Sequence, residues 1–205
     1  MNYLQFRARF YDLGCFNVHQ VYAWEPDFDK SNLTRWIKQK LLIKLRNGYY
    51  SFPEYLKQPD CMFFISNRIY RPSYISLHTA LAFYGMIPEA VVQISAISTL
   101  KKDTFSNVFG TFSYQQVAPA LFFGYEIKPF FNGATLLFAR PEKALLDLLY
   151  LYPFYNTPQE LEELRLDEDF LQHDFNMELF NDYAHKFCNK ALLKRAELLL
   201  KTYDL

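Results

Sequence analysis

The sequence predicts an α+β protein in two parts: a helical N-terminus that carries a basic hairpin, then a mixed α/β region with a small sheet and closing helices. Three observations predict it. Between residues 31 and 46 the apolar spacing changes from three-and-four to two, just ahead of an Asn47-Gly48 pair. From 91 to 138 the chain is rich in β-branched and aromatic residues, broken by Asp103, Asn107, Pro119 and Asn132-Gly133. Helical patterns flank that region and dominate after Pro158. With 205 residues, 51% hydrophobic and 19% aromatic, the chain has ample material for packed cores.

Residues 2 to 13 form the first expected helix, with Leu4, Phe6, Phe10 and Leu13 as apolar positions and Gly14 as its stop. A second helix, from Asn17 to about Ala23, buries Val18, Val21 and Tyr22. Residues 24 to 29, containing Pro26, turn the chain. In the third helix Leu33, Trp36, Ile37 and Leu41 make one apolar stripe, with Ser31, Thr34, Arg35 and Lys38 opposite. Ser31 or Asn32 caps it, and Asp29 suits the positive end of its dipole. Ile43 and Leu45 then alternate with Lys44 and Arg46, Asn47-Gly48 supplies two positive-φ turn residues, and Tyr49 to Phe52 return as the partner strand. Three helices and a hairpin within about sixty residues, in this order, make a winged helix-turn-helix over residues 1–55.

From Lys30 to Arg46 the chain carries Lys30, Arg35, Lys38, Lys40, Lys44 and Arg46 and no carboxylate, although its 22 basic and 22 acidic residues otherwise cancel. Such a surface suits double-stranded DNA. Arg35 and Lys38, with Ser31 and Thr34, are placed to read or flank bases, and Lys40, Lys44, Arg46 and Asn47 to hold phosphates. A charge run alone is more often a solvated face. The helix, the hairpin and the absence of acids together favour the DNA reading. Tyr49 and Tyr50 follow the hairpin tip, where a phenol hydroxyl can reach a phosphate.

The second part, 56–205, begins after a polar connector containing Pro53, Gln58, Pro59 and Asp60. Residues 62 to 69 read as a short helix or strand. Ser76 starts a helix with Leu77, Ala80, Leu81 and Tyr84 on one face, ended by Gly85 and Pro88. Four segments, VVQISAIST, FGTFSYQQV, LFFGYEIKPF and ATLLFA, read as strands. Residues 141 to 152 form a largely buried helix, and two or three more helices follow Pro158.

Little else in the chain carries chemistry. The four histidines lie in no ligand spacing, no phosphate-cradling glycine loop or nucleophile elbow occurs, and six glycines leave little room for one. No cofactor, metal or catalytic residue is expected. Cys15, Cys61 and Cys188 are odd in number and far apart, which fits reduced, buried thiols. Arg140, Glu142, Lys143 and Asp147 could be drawn as an active site, but Lys143 and Asp147 lie one turn apart and can pair, and Glu142 suits the helix start. The acidic residues from Glu160 to Asp169 read first as a solvated helix face. No apolar run approaches the roughly twenty residues of a membrane span and the start lacks a signal segment, so a cytoplasmic protein is expected, without membrane contact.

At PSYISLHTALAFYGMIPE (72–89) and ARPEKALLDLLYL (139–151) the sequence resembles the AbiEi family, the antitoxin and repressor half of a type IV abortive-infection toxin-antitoxin pair. FGTFSYQQV and FFGYE, between these blocks, are similar to that family's central region. The resemblance implies a non-enzymatic protein that binds inverted repeats at its own operon. It also implies a second domain that counters a nucleotidyltransferase-like toxin. The rival readings are a ligand-responsive winged-helix regulator without a toxin partner, and a nuclease or nucleotidyltransferase that uses the N-terminus only for targeting.

Overall fold

A computed structural model describes residues 2–89 and 92–205. It is mixed α+β, with a three-stranded sheet near the N-terminus and a six-stranded mixed sheet beyond it. The first helix, α1 (Tyr3–Phe10), is shorter than its pattern implied. A tight 3-10 turn occupies Tyr11–Leu13, and Gly14 at φ 65° ends it. Asn2 caps α1 reciprocally with Gln5. Phe6 and Phe10 are buried as expected. Leu4 and Leu13 are 74% and 41% exposed, so only one half of the predicted stripe faces the core.

Strand β1 (Cys15–Asn17) was not foreseen, because three residues carry no readable alternation. Helix α2 (Val18–Trp24) starts from a second reciprocal cap, Asn17 with Gln20. In α3 (Ser31–Lys38) Leu33 and Trp36 are buried, with Phe6 4.7 Å from Trp36 between ring centroids. The helix stops three residues before Leu41, the last apolar position of its predicted stripe. Lys40 takes φ 58°, and the amides of Leu41 and Leu42 bond back to the Trp36 carbonyl. Strands β2 (Ile43–Arg46) and β3 (Tyr49–Ser51) form the expected hairpin, and β1 adds to β3 to give the order β1-β3-β2. Only Gly48 has positive φ in the turn, 79°, where two such residues were expected. A bulge between Lys44 and Arg46 leaves Leu45 as the extra residue, which adds local twist.

The larger sheet has the order β6-β7-β5-β4-β9-β8, built from β4 (Ser73–Ile75), β5 (Gln93–Ser98), β6 (Asp103–Asn107), β7 (Gly110–Gln116), β8 (Tyr125–Pro129) and β9 (Thr135–Ala139). The four predicted strand segments are β5, β7, β8 and β9, apart from Val91, which lies outside the described residues. Strands β4 and β6 are additional. The pairs β5/β7 and β4/β9 are parallel and the rest antiparallel. Residues 62–69 prove to be helical, within α4 (Cys61–Ile69), which packs on β4, β5 and β9. Helices α5 (Leu77–Phe83) and α6 (Pro141–Leu151) pack together, and α6 is covered by α9 (Met177–Lys186) and α10 (Lys190–Thr202). Two short helices, α7 (Pro158–Glu162) and α8 (Glu168–His173), make the closing helices four among the described residues, where two or three were predicted.

The buried apolar residues of both sheets form one continuous cluster. Tyr55 meets Phe131, and Arg46 donates to the Ile69 carbonyl at 2.8 Å, so packing crosses residue 55. At Gly14 an added Cβ would stand 2.9 Å from Phe64, which is why no side chain fits where α4 passes the first sheet. Cys15 and Cys61 are buried and their thiols are pushed up to about 12 by desolvation, whereas Cys188 is exposed, contrary to expectation.

Candidate nucleic-acid interface

The sequence-predicted residues lie on α3 and on the hairpin that follows it. Ser31, Thr34, Arg35, Lys38 and Lys40 are exposed on and just after α3, and Lys44 and Asn47 are exposed on the hairpin. Their position follows from the apolar side: Leu33 and Trp36 anchor α3 inward, and at 3.6 residues per turn that leaves Thr34, Arg35 and Lys38 outward. Leu42 and Leu45, both buried, fix the chain as it leaves the helix, so Lys44 between them faces out.

The start of α3 is held in a way the sequence suggested only in part. Asp29 accepts from the Ser31 amide at 2.9 Å and from its hydroxyl at 2.5 Å, so the carboxylate, not Ser31 or Asn32, satisfies the helix end. These bonds hold the Asp29 carboxyl below its usual range. The Ser31 hydroxyl is therefore already engaged. Asn32 accepts from Arg35 Nη2 at 2.6 Å, and this bond orients the guanidinium along the helix surface. Lys38, Lys40 and Lys44 have no side-chain hydrogen-bond or ion-pair partner among the described residues.

Arg46 has partners of its own. Its Nη1 donates to the Ile69 carbonyl at 2.8 Å, and its guanidinium carbon lies 4.0 Å from the Phe105 ring centre and 5.1 Å from that of Tyr70. Strict period-two alternation would put Arg46 beside Lys44, but the bulge at Leu45 re-aims it toward the larger sheet. Asn107 reinforces the contact by donating to the Leu45 carbonyl at 3.1 Å. Tyr50 is likewise turned in, 5.9 Å from Phe16 between ring centroids, and desolvation raises its pKa; Tyr49 is half-buried.

The second charged group read from the sequence, residues 140 to 147, has a different character. Lys143 and Asp147 are fully buried and paired with each other. Tyr74 and Ser76 donate to Asp147 Oδ2 at 2.9 and 2.8 Å, and Lys143 Nζ donates to the Tyr74 hydroxyl at 2.9 Å. Phe123 and Phe187 lie 4.9 and 4.7 Å from the ammonium. Burial pushes the Asp147 carboxyl up and the Lys143 ammonium down, and their mutual attraction opposes both shifts. The enclosed pair joins α6 to β4 and to the residue after it. Glu142 accepts from the Asn176 amide at 2.8 Å at the start of α9, while Arg140 is exposed. Gly124, at φ 73°, passes so close that an added Cβ would stand 2.9 Å from both Lys143 and Tyr183.

The acidic stretch from 160 to 169 is not one helix face. Glu160 completes a reciprocal cap with Thr157, Asp167 caps α8, and the two helices are separate. Among the described residues, no cluster of three or more His, Cys, Asp or Glu side chains could hold a metal, and no helix is long and apolar enough to cross a membrane. No protein-family model matches this chain, and neither does any curated protein sequence.

Proposed function

We propose that this chain is a DNA-binding antitoxin of the cytoplasm that represses its own toxin-antitoxin operon and neutralises a nucleotidyltransferase-like toxin. The observation that carries the DNA half is the exposed face formed by Thr34, Arg35, Lys38, Lys40, Lys44 and Asn47, with no carboxylate between residues 30 and 46. The element order α1-β1-α2-α3-β2-β3, with strands in the order β1-β3-β2, is the order of a winged helix-turn-helix and supports that reading. In it α3 enters the major groove, Arg35 and Lys38 meet base edges, and Lys40, Lys44 and Asn47 hold the flanking backbone. Arg46 then serves to seat the hairpin. Residues 1–55 form the DNA-binding part and 56–205 the antitoxin part, which has no catalytic role.

The toxin half rests on the resemblance of residues 72–89 and 139–151 to AbiEi antitoxins. Those two blocks build β4, α5 and α6 and include Tyr74, Ser76, Lys143 and Asp147, whose buried contacts fix the centre of the second part. Repression is tested by titrating the protein onto duplex DNA from upstream of its own gene and onto a scrambled duplex, at two salt concentrations. Preference for the natural duplex, with affinity falling as salt rises, supports the proposal, whereas equal binding to both removes it. The toxin half is tested by expressing the adjacent gene with and without this chain, and growth arrest that this chain fails to relieve removes it.

A further inference from the structure

Two clefts share one wall, made by Arg68 at the end of α4 and Arg71 two residues after it. The larger, about 380 Å³, is also lined by Asn67, Ser73 and Thr135. The smaller, about 80 Å³, is lined on its other side by Asn17, Gln20 and Tyr49 of the first sheet and α2. No carboxylate lines either cleft, and among the described residues neither guanidinium is in an ion pair. Arg68 is braced over the Phe64 ring, 4.8 Å from its centre, and Phe64 is itself stacked on Phe130. Ser73 Oγ is buried at the larger cleft and has no hydrogen-bond partner among the described residues.

We propose that this double cleft is a binding site for a phosphate group, held between Arg68 and Arg71. Two arginines on one wall, with no counter-charge and no protein acceptor for either guanidinium among the described residues, raise the local potential and leave donors free for a ligand. A planar fork matches phosphate oxygens two at a time. Asn17, Gln20, Tyr49 and Thr135 add neutral donors around the pair. That inventory exceeds what the two oxygens of a carboxylate accept and suits the several oxygens of a phosphate or pyrophosphate. The phosphate has two sources. Tyr49 follows the hairpin tip and Asn17 caps α2, so a duplex lying on the basic face can bring a backbone phosphate here; a free nucleotide can bring its own. The first source rests on the DNA-binding function proposed above, and the second does not.

The test uses the full chain, with Arg68→Gln, Arg71→Gln, the double variant and Arg71→Lys. Inorganic pyrophosphate is titrated by calorimetry, and the upstream duplex by fluorescence anisotropy. Loss of pyrophosphate binding by at least about tenfold in the double variant, with Arg71→Lys intermediate, is the expected result. A parallel loss for the duplex identifies its backbone as the source, as does a loss for the duplex alone; an unchanged duplex affinity identifies a free phosphate ligand. Thr135→Glu, which places a carboxylate on the exposed rim without removing packing, is expected to act like the double variant and guards against misfolding. The proposal is overturned if the substitutions change neither pyrophosphate nor duplex binding. Lys38→Ala/Lys44→Ala separates the two readings, because it weakens only the duplex; if no duplex binds while pyrophosphate does, the DNA reading fails and the phosphate site stands.

Discussion

Arg46 on the hairpin and Ile69 at the end of α4 are joined by a charge-assisted hydrogen bond of 2.8 Å, and the same guanidinium lies over the Phe105 ring of the larger sheet. The bond fixes where the exposed Lys44 stands relative to the rest of the molecule. A basic residue inside a basic run is thus a clamp, whose contribution is to geometry and stability.

Replacing Arg46 with alanine is expected to destabilise the protein by about 2 kcal/mol, since a hydrogen bond to a charged group contributes on that scale. A fall in melting temperature of roughly 4 to 8 °C corresponds to it for a chain of this size. Duplex affinity should fall while the salt dependence keeps its slope. A slope reduced by about one would instead make Arg46 a phosphate contact.

Lys44→Ala should weaken duplex binding to a similar extent for natural and scrambled sequences, with the slope of log affinity against log salt reduced by about 0.9. Arg35→Ala should cost about 1 to 3 kcal/mol of discrimination at one base position and leave the others intact. Anisotropy titrations on a set of single-substituted duplexes separate the two outcomes. If both variants bind every duplex as the parent does, α3 and the hairpin do not face DNA.

Asp147→Asn leaves Lys143 buried without its partner, which is expected to cost about 3 to 5 kcal/mol in urea unfolding. The double change Lys143→Met/Asp147→Leu removes both charges and should be milder than either single loss. Equal destabilisation by the double and single variants would show that the Tyr74 and Ser76 hydrogen bonds, not the ion pair, hold this region.

His78 is half-buried beside Tyr152, and desolvation pushes its imidazole below the usual 6.5, with Glu89 opposing the shift. The folded state thus prefers the neutral ring, and the unfolded chain takes up the proton first as pH falls. The stability this group contributes is intact above the unfolded value and is lost as pH falls from there through the lower folded value, by at most about 1.4 kcal/mol per pH unit. Urea midpoints at about pH 7.5 and about pH 5.5 should differ less for His78→Gln than for the parent. An undiminished difference assigns the acid sensitivity elsewhere.

Local spacing made much of the fold readable. The apolar stripe of α3, the hairpin at Gly48, Pro141 at the first position of α6 and the Lys143–Asp147 pairing are properties of residues within a turn or two of one another. Strands β1 and β4 were not readable, since three residues leave no period to detect, and neither was β6, whose Asp103 and Asn107 look like turn residues. The cleft at Arg68 and Arg71 was also invisible, because Asn17 and Tyr49 reach it from about twenty to fifty positions away in sequence.

The sequence by itself determined where the basic, carboxylate-free stretch lies, which faces of the helices are apolar and therefore which side of α3 is turned outward. The tertiary structure alone decided what each charged side chain meets. A one-residue bulge turns Arg46 inward, a carboxylate two residues upstream engages Ser31, and Tyr74 of β4 and Ser76 just after it close around Asp147 from some seventy positions earlier. The physical reason is that apolar burial is set by local periodicity, whereas the partner of a buried charge is set by whichever element packs against it.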